Sequence, residues 1–501
     1  ALRQALLDYD RRHGYRGTLG HMALLGEEVD ALVGDGLQAI DTEEEINVNG
    51  EPVFKDEFAS WREVLRKHNK VGNLTPAIVI HVDEQSVYAY TEEKKVVYIP
   101  WEKLNWARRY VDDTHMGPEP EKAADILAEG DIIYTTPDGS SGCSWLAQLP
   151  TVGGSLVALR PNDGSLQAAV GGFDFYESKF NRVVQAKRQP GSSFKPFIYT
   201  AALDKGYTAA SVINDAPVVF EAPGLEDTWR PENYSGKFYG PTRLRQALIK
   251  SRNLVSIRLM RDIGIGYSVR YAQRFGFSRN NLPRDLSLAL GIGAVTPLDL
   301  AQGYAVFANG GYKVKANFID YIANANNTPL WVPEKKAVCE ECFKDEAISE
   351  EQQSPESGTK KPTNNQLGLP AQPVYELDET VQEEERQQIF QGPPAQSIAP
   401  QVLTPQTAFL INTMMRDVVN YGTGRRALSI GRKDLAGKTG TTNDQRDAWF
   451  AGFNKDVVGI AWVGFDNPRP LGNKETGSKA ALPMWISYMQ SALKGVAAVS
   501  Y

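Results

Sequence analysis

The sequence predicts an α+β fold, in which an antiparallel sheet flanked by helices follows a small all-β module. Three observations support this prediction. Short β-branched and aromatic runs cluster before residue 148, helical periodicity dominates the middle of the chain, and strand patterns return near its C-terminal end. A sheet built from the two outer parts of the larger region, with the helices packed on it, would bury the apolar surface of both.

The chain is predicted to have three parts. Residues 1–41 form a leading helical segment, residues 42–148 form the β module, and residues 149–501 form the larger domain. An insertion at about 335–402 is rich in Pro, Gln, Ser and Glu, which predicts little contribution to a core. The strands predicted for the module are Ala77–Val82, Ser86–Thr91, Val96–Ile99 and Asp131–Thr135. Their close spacing suggests a small barrel or sandwich.

The composition excludes several function classes. The 54 basic and 61 acidic residues give a formal net charge of −7, which argues against nucleic-acid binding. The longest apolar runs, such as Val457–Phe465, are strand-sized, so no transmembrane helix is predicted. No histidine follows His115, which disfavours a zinc hydrolase. A Ser-His-Asp triad would need a histidine from the front of the chain.

The first candidate motif is Ser192-Ser193-Phe194-Lys195, where a helical pattern begins. A serine hydroxyl needs a base to act as a nucleophile at neutral pH. A lysine three residues on lies on the same helix face, and it could accept the proton if burial and nearby cations lowered its pKa. About two such matches are expected by chance in this length. In isolation the motif is better explained as a helix N-cap serine and a surface lysine.

The second candidate motif is Ser251-Arg252-Asn253, within the helical stretch Leu244–Ile263. A hydroxyl can relay a proton, and an amide can both donate to and accept from a substrate peptide bond. Alone, this triplet is better explained by capping residues at a helix junction. The nearby loop Trp229–Tyr234 either lines a substrate groove or is simply packed.

The third candidate motif is Lys438-Thr439-Gly440-Thr441-Thr442, on a predicted strand. A Lys-Thr-Gly triplet is expected only about 0.1 times by chance. The glycine would let a substrate backbone approach closely, and the threonine hydroxyls can bind a carboxylate. A strand backbone N–H can donate to a developing oxyanion. The alternative is an exposed polar edge strand.

The order of these motifs matters more than any one of them. Ser-x-x-Lys, Ser-Asp-Asn and Lys-Thr-Gly together are typical of class A β-lactamases and penicillin-binding proteins, and Arg252 stands here in place of the Asp. The stretch Arg188–Phe197 resembles the nucleophile region of class A high-molecular-weight penicillin-binding proteins of the 1a type, from Gram-negative bacteria. Supporting matches are Leu288–Gly291, Val295–Pro297, Phe307–Gly311 and Asp447–Phe450. The β module is similar to the OB-like domain of these proteins.

The resemblance implies a penicillin-recognising serine transpeptidase fold and D,D-transpeptidation of peptidoglycan stem peptides. Ser192 would attack the carbonyl of D-Ala-D-Ala, and an amine of a second stem peptide would resolve the acyl-enzyme. Lys195 would be the base for acylation. Ser251 would pass the proton to the leaving amine, and Lys438 would tune this network. β-Lactams would acylate the same serine.

The resemblance also implies a set of substrate-binding groups. Asn253 would hold the substrate amide, and Thr439, Gly440 and Thr441 would face the terminal carboxylate. The oxyanion hole would be formed by the backbone N–H groups of Ser192 and Thr441. The charge of Arg252 would help to keep Lys195 neutral. No metal or other cofactor is implied.

The same family implies a longer parent protein. The chain begins at Ala1, so we expect a glycosyltransferase domain and a membrane anchor upstream, at the periplasmic face of the bacterial inner membrane. Outer-membrane lipoprotein activators, docking on the β module, and other cell-wall synthesis proteins are the expected partners. Two alternatives stay open: a carboxypeptidase or β-lactamase in which water attacks the acyl-enzyme, and a penicillin-recognising scaffold without turnover. Cys339 and Cys342 could form a local disulfide.

Overall fold

The computed structural model describes residues 1–24, 45–46, 52–53, 58–139, 142–219, 229–338 and 396–499. Residues 25–41 of the leading segment, most of the predicted insertion, and the Cys339–Cys342 pair lie outside the described residues. In the part of the chain that is described, no helix has both the length and the apolar character needed to cross a membrane.

Strands and helices follow one another much as predicted. The strands are β1 (Gly20–His21), β2 (Glu45–Ile46), β3 (Pro52–Val53), β4 (Thr75–Val82), β5 (Ser86–Thr91), β6 (Val96–Pro100), β7 (Tyr110–Asp112), β8 (His115–Met116), β9 (Asp131–Pro137), β10 (Ser144–Ala147), β11 (Gly153–Leu159), β12 (Leu166–Val170), β13 (Val212–Asp215), β14 (Gly240–Arg243), β15 (Ile322–Ala323), β16 (Pro329–Trp331), β17 (Lys335–Ala337), β18 (Gln396–Ile398), β19 (Ala436–Thr441), β20 (Asp447–Phe453) and β21 (Val458–Gly464). The α-helices are α1 (Leu2–Arg11), α2 (Ala59–Leu65), α3 (Lys195–Asp204), α4 (Leu244–Ile249), α5 (Asn253–Ile263), α6 (Ile265–Arg274), α7 (Pro297–Ala308), α8 (Pro405–Tyr421) and α9 (Leu482–Ala492).

The β module is an antiparallel sheet in the order β1-β9-β4-β5-β6, with β10 also paired to β9. Strand β4 is buried on both faces, because Ala77 and Val79 enter one apolar cluster and Ile78 and Ile80 enter the other. Trp61 of α2 is fully buried in the second cluster. Strand β1 belongs to this sheet, so the sheet draws on residues that precede the predicted boundary at 42.

The larger domain is built on an antiparallel sheet in the order β12-β11-β21-β20-β19. The hairpin β11–β12 precedes the helical region and β19–β21 follow it, which confirms the predicted sheet made from the two outer parts. Helices α3 to α8 and the sheet share one apolar core. Helices α1 and α9 cover the opposite face.

Glycines on the strands let the covering helices approach closely. A methyl group on Gly459 would lie 2.9 Å from the indole nitrogen of Trp485 on α9, and that nitrogen donates to the Gly459 carbonyl at 3.0 Å. A methyl group on Gly154 would lie 2.9 Å from Leu2 and 3.0 Å from Leu6 on α1. Helix α1 is therefore part of the core of the larger domain, although it begins the chain.

Candidate active site

Ser192 lies in a 3₁₀ turn, Gly191–Phe194, that leads directly into α3. The turn is held from the core side, because the Tyr304 hydroxyl donates to the Ser193 carbonyl at 2.7 Å. The Ser192 side chain is half-buried, whereas Lys195, the first residue of α3, is completely buried. The predicted serine and lysine therefore lie one helical turn apart at the start of one helix.

The amine of Lys195 is fixed by the second motif. It donates to the Ser251 carbonyl at 2.9 Å and to the Asn253 side-chain oxygen at 2.7 Å, and it lies 3.4 Å from the Ser251 hydroxyl. A neutral amine has two N–H groups and one lone pair, so these two short bonds use both donors and leave the lone pair available. Within the described residues the Ser192 hydroxyl makes no hydrogen bond, as is common before a substrate binds.

Ser251 occupies a break in the predicted helical stretch Leu244–Ile263, which is the helix junction that the capping explanation of this motif implied. Helix α4 ends at Ile249 and α5 begins at Asn253, and Ser251 between them has a φ of +57°. This left-handed conformation is uncommon for a residue with a side chain and is often found at functional sites. The Ser251 hydroxyl accepts a hydrogen bond from the Lys438 amine at 2.9 Å. It therefore lies between two buried lysines.

Both lysines are shifted toward the neutral form. Burial lowers the pKa of Lys438 to about 7. Burial, and then the positive charge of Lys438, hold the pKa of Lys195 well below its usual value, while the Asp215 carboxylate acts in the opposite direction. The prediction that the charge of Arg252 helps to keep Lys195 neutral was wrong, since Lys438 and Asp215 are the charged groups that shift its pKa. The Arg252 guanidinium lies 3.2 Å from the ring centroid of Tyr239 and 3.8 Å from the Asp215 carboxylate.

The third motif runs along β19 directly against the turn that carries Ser192. Gly191 has a φ of +54°, and a methyl group there would lie 2.8 Å from the Thr441 carbonyl oxygen and 3.2 Å from its nitrogen. A methyl group on Gly440 would overlap the Pro190 carbonyl oxygen. The two backbones therefore touch without intervening side chains, and the N–H groups of Ser192 and Thr441 lie on adjoining segments.

The hydroxyls of Thr439 and Thr441 in this motif already have protein partners. Thr439 lies 2.6 Å, oxygen to oxygen, from Thr423, which follows α8. The Thr441 hydroxyl accepts from the Gly477 backbone N–H at 3.0 Å. A hydroxyl that accepts one hydrogen bond still has its own proton to donate. The Thr441 hydroxyl therefore keeps a donor for an anionic group bound beside β19.

A buried ion pair ties the nucleophile segment to the sheet. Arg188, just before the turn, contacts the Asp447 carboxylate of β20 at 2.7 Å, and the Trp462 indole N–H donates to the same oxygen at 2.9 Å. Only 8% and 6% of the Arg188 and Asp447 side chains are exposed. In the sequence, Asp447 stood out only as part of Asp447–Phe450, one of the stretches that supported the family resemblance.

Sequence reasoning did not single out two buried polar residues behind the site, Asp215 and Asn233. Asn233 donates to the Asp215 carboxylate at 2.8 Å and accepts from the Asn253 backbone N–H at 2.8 Å. The Asn253 side chain in turn donates to the Glu232 carbonyl at 2.8 Å. The one available signal was the loop Trp229–Tyr234, which contains Asn233.

Together, the fold and this geometry define a class: active-site-serine proteins of the penicillin-recognising fold. Residues 42–152 match the family model for the penicillin-binding protein OB-like domain, and residues 154–354 and 381–483 match that for the penicillin binding protein transpeptidase domain. The chain belongs to the penicillin-binding protein transpeptidase family.

Relatives with curated descriptions resemble it along almost its whole length. Penicillin-binding protein 1A of Pseudomonas aeruginosa is 40% identical over 496 residues, covering 99% of this chain and 55% of that protein. Penicillin-binding protein 1A of Escherichia coli is 36% identical over 537 residues, covering 99% of this chain and 57% of that protein. The chain thus spans about half the length of the curated relatives it matches.

Solved structures agree with the fold. The 2.6 Å crystal structure of penicillin-binding protein 1A from Haemophilus influenzae matches with a TM-score of 0.75 and 30% identity, covering 100% of this chain and 65% of that one. The penicillin-binding protein PonA1 from Mycobacterium tuberculosis matches with a TM-score of 0.52 and 22% identity, covering 71% of this chain and 81% of that one. These matches confirm the predicted fold class, a transpeptidase fold with an OB-like module.

Proposed function

We propose that this chain is a serine D,D-transpeptidase that cross-links peptidoglycan stem peptides ending in D-Ala-D-Ala. One observation carries the proposal. The amines of Lys195 and Lys438 and the hydroxyl of Ser251 form a hydrogen-bonded array at the base of the turn that carries Ser192. A weakly nucleophilic hydroxyl beside a buried amine of lowered pKa is the arrangement that serine acylation needs.

In the acylation step, the Ser192 oxygen attacks the carbonyl carbon of the penultimate D-Ala, and the Lys195 lone pair takes the hydroxyl proton. Collapse of the tetrahedral intermediate breaks the peptide C–N bond. The proton reaches the leaving nitrogen through the Ser251 hydroxyl, which Lys438 orients, and D-Ala departs. An ester on Ser192 remains.

Groups on the nucleophile turn, on β19 and at the start of α5 would bind the substrate. The backbone N–H groups of Ser192 and Thr441 would stabilise the oxyanion. Thr439 and Thr441 would hold the terminal carboxylate, with Gly440 leaving room for the substrate backbone beside β19. The Asn253 amide would exchange one of its present protein contacts for the substrate amide.

The second half of the reaction and the cellular context extend the proposal. An amine of a neighbouring stem peptide attacks the ester, forms the cross-link and releases Ser192. A parent protein with a glycosyltransferase domain and a membrane anchor would hold this chain at the periplasmic face of the inner membrane. An outer-membrane lipoprotein activator would dock on the OB-like module, alongside other cell-wall synthesis proteins. The length of the curated relatives, of which this chain covers 55% and 57%, supports a longer parent protein.

Mass spectrometry of the intact chain after exposure to a β-lactam tests the nucleophile. We expect one adduct, mapped to the peptide that contains Ser192, and no adduct in Ser192→Ala. The exposed Ser491 supplies a matched control, because Ser491→Ala should be labelled like the wild type. An adduct on another residue, or one that persists in Ser192→Ala, would refute the assignment.

Products formed with and without an acceptor amine distinguish the reaction types. A D-Ala-D-Ala pentapeptide with an added acceptor amine should give cross-linked peptide together with free D-Ala. A carboxypeptidase would give only the shortened free acid. Rapid release of an opened β-lactam would indicate a β-lactamase, and stable labelling with no peptide product would indicate a scaffold.

A further inference from the structure

A buried carboxylate lies behind the catalytic array, on an element that none of the three motifs includes. Asp215 ends β13, and its side chain is 0% exposed. Both of its oxygens accept from the Asn233 amide, at 2.8 and 3.0 Å. A buried charge is costly unless it is paired or hydrogen-bonded, so this placement requires a compensating interaction.

Asn233 connects this carboxylate to the start of α5. Its side-chain oxygen accepts from the backbone N–H groups of Asn253 at 2.8 Å and Leu254 at 3.5 Å. The first N–H groups of a helix have no partners within the helix, and the N-cap residue Arg252 supplies no side-chain acceptor. Asn233 therefore caps α5 from a distant loop.

The Asp215 carboxylate decides which way the Asn233 amide points. A carboxylate accepts only, so it selects the orientation in which the Asn233 amide NH₂ faces Asp215 and the oxygen faces α5. The amide NH₂ also donates to the Lys237 carbonyl at 2.9 Å. Because Asn233 fixes the start of α5, the side-chain oxygen of Asn253 lies 2.7 Å from the Lys195 amine and accepts its hydrogen bond.

Asp215 also acts on the site through its charge. The charged side chains that bear on Lys195 are Lys438 from β19 and Asp215 from β13. Lys438 disfavours the protonated amine of Lys195, whereas Asp215 favours it. The guanidinium of Arg252 lies between Asp215 and the Tyr239 ring.

We propose that Asp215 and Asn233 are positioning residues of the acylation reaction: Asn233 holds the start of α5 so that Asn253 and Ser251 meet Lys195, and Asp215 orients Asn233 and acts through its charge on Lys195. This inference rests on the proposed function. It adds to that function two residues that act through Lys195, Ser251 and Asn253.

The test measures the acylation rate constant with a fluorescent penicillin from about pH 5 to about pH 10. Asp215→Asn keeps the size of the side chain and removes its charge. Because Asp215 favours protonated Lys195, its loss lets the neutral amine persist to lower pH. The acid limb of the rate profile should shift downward by about half a pH unit or more. A purely structural role would lower the rate without moving this limb.

Asp204→Asn is the matched control. Asp204 ends the same helix that Lys195 begins, about 13 Å along its axis, and it contacts the Tyr267 hydroxyl at 2.9 Å. Its profile should superimpose on that of the wild type. A profile of Asp215→Asn that coincides with the control would overturn the electrostatic part of the inference.

A swapped pair tests the positioning part even if Asp215→Asn does not fold. Asn233→Asp alone places two carboxylates against each other and should lower acylation about tenfold or more. Adding Asp215→Asn restores one amide facing one carboxylate and keeps an acceptor for the Asn253 N–H. The double variant should recover most of the lost rate. No recovery would refute the positioning role, whereas a wild-type chain that is never acylated at Ser192 would refute the proposed function itself.

Discussion

At the residue scale, the candidate site contains two lysines that the fold shields from solvent. Lys195 and Lys438 are both 0% exposed, and each has its pKa lowered mainly by burial. A buried amine with a lowered pKa is useful as a base, but it lowers the stability of the protein near neutral pH. The folded chain gives up a proton that the unfolded chain retains, so the proposed function and the stability of the fold oppose each other here.

The effect of Lys438 on stability depends on pH. Its pKa is about 7 in the folded chain and 10.5 when unperturbed. Between these values the unfolded chain holds the extra proton, so the free energy of unfolding rises with pH across this window. Below the folded pKa the full cost of burying the ammonium remains.

We predict that Lys438→Met raises the free energy of unfolding at neutral pH by about 1–3 kcal/mol while abolishing acylation. The lost hydrogen bonds to Ser251 and Thr439 offset part of the gain. The difference from wild type should shrink as the pH approaches the unperturbed lysine value. Urea unfolding at several pH values measures it.

Exposed Lys67 provides the control, because Lys67→Met should change stability by less than about 0.5 kcal/mol at every pH. A Lys438→Met variant that is less stable than wild type at neutral pH, or whose difference does not vary with pH, would contradict the prediction.

At the element scale, periodicity predicted the strands and helices well because their apolar residues recur at regular spacing. Strand β5 has the predicted bounds Ser86–Thr91, and β4 and β9 each extend the predicted strand by two residues. A helix junction at Ser251 was open from the sequence, but its left-handed conformation could not be predicted, because this conformation goes with contacts to lysines far away in sequence. The contact of Arg252 with the Tyr239 ring could not be predicted either, because it depends on how the chain before α4 folds back on the start of α5.

The candidate site also contains residues that the sequence predicts and residues that it does not. The Ser192, Ser251 and Lys438 motifs have recognisable spacing, so they could be found and ordered without a structure. Asp215 and Asn233 are single polar residues in a short strand and a loop, and such residues usually cap or solvate turns. Only their burial and mutual contacts, at 2.8 and 3.0 Å, distinguish them.

The close contact between the nucleophile turn and β19 leads to a prediction about Gly191. Gly191→Ala should lower acylation at least about tenfold, because its methyl group would push the Thr441 backbone away from the turn. Gly310→Ala is a matched control, since Gly310 has a φ of +82° and nothing lies within 4 Å of an added methyl group.

Both variants should lose about 1–2 kcal/mol of stability from backbone strain, as measured by urea unfolding. Only Gly191→Ala should lose acylation, measured with a fluorescent penicillin. Equal acylation rates in the two variants would mean that the turn and the strand do not need this contact.

At the scale of the whole molecule, the first residues of the chain link the two domains. Tyr9 of α1 donates its hydroxyl to the Leu471 carbonyl of the larger domain at 2.7 Å. A few residues later, Gly14 accepts from the Gln148 side chain at 2.8 Å, and β1 then joins the sheet of the OB-like module. The chain therefore enters the core of the larger domain before it builds the module.

This path predicts that a change in α1 destabilises the larger domain, whose sheet begins at residue 153. Leu6 is fully buried against Gly154 of β11 and shares a core with Trp485 of α9. Leu6→Ala should lower the free energy of unfolding by about 2–5 kcal/mol, because the removed side chain leaves a cavity beside Gly154, which has no side chain to fill it. Exposed Gln4 on the same helix supplies the control, and Gln4→Ala should cost less than about 0.5 kcal/mol. Urea unfolding can be monitored by the loss of β-lactam acylation. This signal reports on the larger domain alone, because that domain carries Ser192. If Leu6→Ala has the same urea midpoint for loss of acylation as wild type, then the packing of α1 on β11 does not contribute to the stability of this domain.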